Sequence, residues 1–375
     1  MKFVVFGLTV TSSWGNGHAT LWRGLCRALG DAGHEVVFFE RDVPYYAAHR
    51  DAMHFPGCHV RLYSKWADVA TDAAREVSRA DVALVTSYCP DAVAASDLCL
   101  TRGRGARVFY DLDAPVTLEK LEAGERVAYI PEGGFSGFDL VLSFAGGRSL
   151  EGLRARLGAR RVAPLYGSAD PAVHRPASPD PRFACDLAHL GTYAPDRLGP
   201  LDALFVEPAR CSPEQKFVLA GALYPQDIRW PKNVTVTEHV APAEHAALFA
   251  SCRASLNLTR RAMARSGFCP SGRLFEAALC GALQITDVWD GLDAFFEPGS
   301  EVLVARSSDD VLAALRTSRG DLERVARAAQ QRALESHTSA HRARQLVALV
   351  RGDGVDRASD PERARPRAHR GAEEV

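Results

Sequence analysis

The chain has 375 residues, 47% of them hydrophobic and 24% charged, with a formal net charge of −1. At about 150 residues per domain this predicts two domains with a remainder, and the composition excludes a largely disordered chain. Near-neutral charge excludes a global field that would draw the protein to nucleic acid or acidic membrane.

No apolar run reaches the roughly 18 residues of a membrane span. The opening MKFVVFGLTV runs straight into polar TSSWGNG without a small-residue cleavage pattern, and so reads as a first buried strand rather than a signal peptide. Nine cysteines with no Cys-x-x-Cys pair give neither a disulfide framework nor a zinc site. These features predict a cytoplasmic protein with no integral membrane segment and no nucleic-acid partner.

Short apolar strands at 3–8, 35–39, 82–86, 107–110 and 140–144 alternate with amphipathic helices, the first at 19–32 and closed by Gly33. Such alternation implies parallel pairing with right-handed crossovers and places binding groups at the carboxyl ends of the strands. PLYGSADPAVHRPASPDP has linker composition. A second set of strands follows at 186–190, 216–220, 234–238, 254–258, 283–288 and 302–305. The expected fold class is α/β, with two Rossmann-like doubly wound lobes facing a cleft: residues 1–165, a linker at 166–181, and residues 182–335. A helical stretch over 322–350 is long enough to cross back, its part at 336–351 bracing the lobes. Residues 352–375 have almost no apolar content and are expected to form a disordered tail.

The most informative segment is ARSGFCPSGRLFEAALCGALQITDVWDGLDAFFEP. Ser271 is placed to cap a helix whose first-turn N–H groups form an anion site. Gly272 lets backbone approach a phosphate, and Arg273 adds a fixed positive fork. Glu276, one turn on, has the two acceptor oxygens that a vicinal diol such as a ribose requires. Arg273 and Glu276 also fit a simple i,i+3 surface pair.

Here the sequence resembles a family. GFCPSGRLFEAALCGALQITDVWDGLDAFFEPGSEVLVA is similar to the donor-binding segment of CgeB-like glycosyltransferases, relatives of the large retaining GT-B group. DLAHLGTYAPDR, YDLDAPVTL, SFAGG, LNLTR and GALYPQDIRWPKNVTVTEHVAPAEHAALF extend the likeness over roughly residues 1–340.

The resemblance implies a GT-B fold, with a nucleoside-diphosphate sugar (UDP being the usual nucleotide) in the second lobe and an unidentified acceptor in the first. By position Glu276 holds the donor ribose, and Ser271, Gly272 and Arg273 line the diphosphate. Glu238, His239 and Val240 read the base, while Gly191 and Thr192 lie near the phosphates. One position departs: Phe268 stands where many such enzymes carry the first glutamate of Glu-x7-Glu. That departure motivates an alternative, a non-catalytic nucleotide-sugar-binding protein.

Asp111 and Asp113 follow the strand RVFY at a sheet's binding edge. Asp-x-Asp suggests a divalent metal, but the resemblance implies that helix dipoles and basic side chains replace it, so neither metal nor cofactor is expected. Asp113 is assigned to the acceptor as a base and Asp111 to sugar or acceptor support; turn aspartates ahead of Pro115 are the plainer reading.

In SSWGNGHAT, Gly15, Asn16 and Gly17 offer donors to a sugar or acceptor, and His18 offers a base near neutral pH. The same loop and Glu40 suggest an NAD(P)-dependent oxidoreductase, against which stand Thr20 in place of the third glycine and the long gap after Leu8. Arg260 follows a strand end, where it is assigned to the departing diphosphate or to a solvated basic loop. The leading expectation is a metal-independent glycosyltransferase, with a homodimer possible.

Overall fold

The computed structural model describes residues 1–353; the tail expected over 352–375 lies, from 354 on, outside the described residues. The first sheet contains β1 (Lys2–Gly7), β2 (Glu35–Arg41), β3 (His59–Tyr63), β4 (Val82–Thr86), β5 (Ala106–Asp111), β6 (Leu140–Ser143) and β7 (Val162–Pro164). Their order is β3-β2-β1-β4-β5-β6-β7, with every pairing parallel. The second sheet contains β8 (Cys185–Leu190), β9 (Phe217–Ala220), β10 (Val234–Thr237), β11 (Cys252–Asn257), β12 (Gln284–Thr286) and β13 (Leu303–Val304). Its order is β10-β9-β8-β11-β12-β13, again parallel.

The central strands are apolar on both faces because helices cover both. In the first sheet Phe6, Phe39 and Phe109 pack on one side, and Phe3, Phe38, Val108 and Tyr110 on the other. Two strands have no counterpart among the expected ones. β3 (HVRLY) is an edge strand whose His59 and Arg61 are exposed, and β7 (VAP) has only three residues. Neither presents the apolar run that marks a buried strand.

Strand order reverses between β1 and β4 and again between β8 and β11. At such switch points the loops leaving neighbouring strands diverge and open a crevice at the carboxyl edge. The two crevices supply the site.

Two expectations need correction. The stretch expected as a linker at 166–181 is buried at Tyr166, Ser168, Asp170 and His174, while residues 175–179 are exposed as expected of a linker. Asp170 is satisfied internally, taking the Nε–H of Arg27 (2.8 Å) and the N–H of Ala172 (2.9 Å), whereas the ring nitrogens of His174 make no hydrogen bond.

The helical stretch expected over 322–350 is two helices, Arg319–Ser336 and Ser339–Arg351. The break falls where Ala169 intercepts the backbone ladder, donating to the His337 carbonyl (3.2 Å) and accepting from the Ser339 N–H (2.9 Å). The first of the pair packs through Ala329 and Ala333 on Leu274, Phe275 and Phe296 of the second lobe. The last helix packs through Ala343, Leu346 and Leu349 on Trp22, Leu25 and Leu29 of the first.

That last contact is close. A Cβ on Gly24, in the helix Gly17–Asp31, would stand 2.5 Å from Ser339 Oγ and 3.2 Å from Asp170 Cβ. Gly24→Val therefore forces the helices apart, and urea titration should show a loss of about 1–3 kcal/mol.

Candidate active site

The carboxyl edges of the two sheets enclose a cavity of about 450 Å³ lined by both lobes, within the roughly 300–1,000 Å³ of small-molecule sites. On the second lobe its floor is backbone. A Cβ on Gly221 would fall 1.9 Å from the Gly191 carbonyl oxygen, so the turns after β8 and β9 approach as only glycine permits. Gly191 and Thr192 line the cavity beside them. The helix Gly272–Leu279 points its amino end into the same space, and Gly272 has nothing within 4 Å of where a Cβ would stand. Ser271 occupies the N-cap position, but its side chain makes no capping bond.

Arg273 and Arg197 project into the cavity together. Arg197 donates from Nη1 to the Thr192 carbonyl (2.9 Å), its Nε has no partner, and Arg273 Nη1 is buried without one. Burial first, and then the charge of Arg197, push the Arg273 guanidinium down to about 10. His189 stands behind them, its Nδ1–H on the Leu256 carbonyl (2.9 Å), and burial with the two guanidiniums pushes it to about 3. Among the described residues no carboxylate forms an ion pair with either arginine of this pair. Two guanidiniums without an ion-paired carboxylate, beside a helix amino end, form a site for a multivalent anion.

Glu276 lies one turn further along the helix and is buried. Burial opposes its ionisation, but the histidines and Arg273 outweigh it and hold the carboxyl down to about 2. Its Oε2 is 3.3 Å from His245 Nδ1 and 3.9 Å from His174 Nε2. His245 is oriented from behind by the Val240 carbonyl, 3.2 Å from Nε2. Ligand atoms of these three residues lie within 4.8 Å of one another, the one such group among the described residues. Donors around a single tetrahedral ion stand about 3.4 Å apart. The 3.9 Å separation exceeds that, and the histidines fit better as the wall that orients the carboxylate.

The first lobe faces these groups with Asp113, Tyr88 and the loop before the helix Gly17–Asp31. Tyr88 has φ +63°, a left-handed backbone rare for a ring-bearing residue. It donates its hydroxyl to Asp113 Oδ2 (2.8 Å), leaving Oδ1 buried without a partner. Asp111 lies beneath, fully buried and outside the lining. It takes the Asp113 N–H (3.0 Å), and burial pushes its carboxyl up to about 6.

His18, kept towards its neutral form by burial, lines the cavity with Nδ1 unpartnered. Gly15, Asn16 and Gly17 also line it, but the Asn16 side chain serves the loop: it accepts from the His18 N–H (3.1 Å) and donates to the Thr9 and Ser12 carbonyls.

Several assignments change. Arg260 does not face the cavity as a free charge: it pairs with Asp113 across the cleft (3.5 Å) and with Asp196 (3.3 Å). His239 and Val240 line the cavity, whereas Glu238 is exposed and outside it. Phe268, with φ +45°, packs against Gly291 and Gly147, accepts the Gly146 N–H (2.8 Å), and stays out of the lining.

Glu40 is no ribose acid. Its buried carboxylate accepts from the Thr9 and Thr11 hydroxyls and from the N–H groups of Val10 and Thr11, at 2.5–3.1 Å. Sequence reasoning missed Arg197, Tyr88, His174 and His245. Arg197 and His245 sit inside the quoted stretches DLAHLGTYAPDR and HVAPAEH, so position after a strand was the usable signal; nothing marked the other two.

Residues 197–348 match the family model described as glycosyl transferase-like. The match falls on the second lobe and the closing helices. The chain's structure is similar to sucrose-phosphate synthase from Thermosynechococcus elongatus, at 12% identity and TM-score 0.65 over 94% of this chain and 99% of that one. It is similar to Anabaena HepE, solved with UDP-glucose, at 14% identity and TM-score 0.65 over 94% and 100%. An alpha-glucosyltransferase solved with UDP and a 13-mer DNA gives 12% identity and TM-score 0.66 over 94% and 99%. At these identities the likeness is one of fold, and the fold is GT-B. No curated protein matches the sequence. Among the described residues no helix is long and apolar enough to cross a membrane.

Glu40→Gln replaces one of two accepting oxygens by a donor aimed at N–H groups. Denaturant titration should show a loss of about 1–3 kcal/mol, while oxidised and reduced NAD(P) produce no thermal shift.

Proposed function

We propose that this protein is a glycosyltransferase of the CgeB-like kind, which takes its sugar from a nucleoside-diphosphate donor, UDP-linked in the first instance, and passes it to an acceptor hydroxyl without a divalent metal. The supporting observation is the carboxylate-free pair Arg197 and Arg273 at the amino end of a helix whose next turn presents an ionised, buried Glu276. A diphosphate on the arginines sets the attached ribose about one helical turn away, at the carboxylate. HepE and the alpha-glucosyltransferase, which share the fold, were solved with UDP or UDP-glucose.

Transfer then balances as follows. The acceptor O–H gives its proton to Asp113 Oδ1, the acceptor oxygen bonds to the anomeric carbon, and the bond from that carbon to the diphosphate oxygen breaks. The electron pair leaves on the diphosphate, where Arg197, Arg273 and the amides around Gly272 receive it. Tyr88 and Arg260 hold Asp113 by Oδ2 and so aim Oδ1; they are positioning residues. His18 orients the acceptor hydroxyl. Phe268 supplies no carboxylate to the sugar, so recognition of the transferred ring falls to neighbouring groups.

Isothermal titration in EDTA should show saturable UDP binding, weakened at least tenfold by Glu276→Gln and by Arg197→Met. Strict dependence on added magnesium or manganese, or unchanged affinity in both variants, would remove this reading. Asp113→Asn should keep UDP binding and lose transfer, including slow donor hydrolysis, by a factor of about 10² or more.

A further inference from the structure

The first-lobe half of the cavity combines rings and alkyl groups with uncharged polar side chains such as Ser13, Asn16 and Thr20. Leu8, Leu21, Leu112, Phe144, Tyr46 and Tyr88 face inward, and the acidic side chain among them is Asp113. Every basic side chain described in the lining except His18 (Arg197, Arg260, Arg273, His239, His245) comes from the second lobe; no lysine or arginine of residues 1–165 lines the cavity.

The arginines of the flanking first-lobe segments are neutralised one by one. Arg23 pairs with Asp51 (2.6 Å), Arg41 with Asp91 (3.2 Å) and Arg50 with Asp42 (2.6 Å). A polyanion binds by exchanging its counterions for free lysine and arginine charges, and this face has none to offer beside a carboxylate that would repel it.

The same face carries a row of rings leading outward. Tyr46, in the lining, meets Tyr45 at 5.1 Å between centroids; Tyr45 meets His49 at 5.5 Å; His49 stacks on Trp14 at 4.4 Å. Tyr45 is 42% exposed, so its ring face is open to a ligand that extends outward from Tyr46. Aromatic faces of this kind hold flat rings through their C–H bonds or π faces, with little demand for charge.

We propose that the acceptor is an uncharged, hydroxyl-bearing ring compound that lies along Tyr46 and Tyr45 with its hydroxyl at Asp113, and that nucleic acids and anionic lipids are not acceptors. The inference rests on the donor reading above. It separates this chain from the alpha-glucosyltransferase of the same fold that was solved with DNA.

The full chain, loaded with UDP-sugars, is offered four probes: 4-methylumbelliferone, 4-nitrophenyl β-glucoside, a single-stranded oligonucleotide, and vesicles of phosphatidylglycerol. Release of UDP and the mass of the product are read for each. UDP release above the donor-only rate should occur with one or both ring compounds; the first alone identifies a phenolic acceptor and the second a sugar. In Tyr46→Ala and Tyr45→Ala the KM for that compound should rise at least tenfold with kcat changed less than threefold. Transfer to the oligonucleotide or the vesicles overturns the proposal, as does failure of both ring compounds to bind UDP-loaded protein saturably. Absence of UDP binding itself is a separate result, and it removes the donor reading first.

Discussion

Two guanidinium groups share one cavity with no carboxylate between them, and burying such a pair is costly unless the fold compensates. Compensation here is local and dipolar. The Thr192 carbonyl holds one arginine, His189 behind them stays neutral with its proton committed to a strand carbonyl, and Arg197 Nε and Arg273 Nη1 are buried without a partner. The glycines after β8 and β9 let the supporting backbones approach to where any side chain would collide. On the proposed reading, a diphosphate relieves the electrostatic tension of this arrangement, and the histidine-flanked carboxylate one turn along the helix would favour a nucleotide over free phosphate.

The facing lobe contributes geometry rather than charge. Asp113 is reached from three sides: its own backbone by Asp111, one oxygen by Tyr88, and the same oxygen by Arg260 from across the cleft. Further links cross at the closed end, where the Gly146 N–H meets the Phe268 carbonyl and the Ser149 and Ser266 hydroxyls stand 2.6 Å apart. At the open end Trp14 lies on His239, 4.5 Å between ring centres. Phe268 belongs to the same seam. Its ring fills the gap left by Gly147 and Gly291 and stiffens the seam between lobes.

Much of the scaffold was legible because buried parallel strands are written as short valine, phenylalanine and leucine runs, and because a glycine-led helix start is a local signal. Glu276 was legible for the same reason. What escaped had non-local causes. β3 alternates outward-facing polar groups as an edge strand does, and β7 is too short to carry a pattern.

The first part of the segment with linker composition is buried, with Arg27, 143 residues away in sequence, neutralising Asp170 there. That burial also brings His174 to Glu276, which no spacing foretells. Arg260 was misread for a related reason: a basic residue at a strand end looks available until its two aspartates are found, and Asp113 lies in the other lobe. Glu40 matched a ribose acid in spacing alone, since spacing does not reveal four nearby donors.

The closing helix Ser339–Arg351 covers Trp22, Leu25 and Leu29, residues made more than three hundred positions earlier. During synthesis at about 5–20 residues per second, that face stays bare for tens of seconds while the second lobe emerges. The amino-terminal half therefore waits on the ribosome with an unfinished surface, open to chaperones and to neighbouring nascent chains, until the helix Ser339–Arg351 has been made.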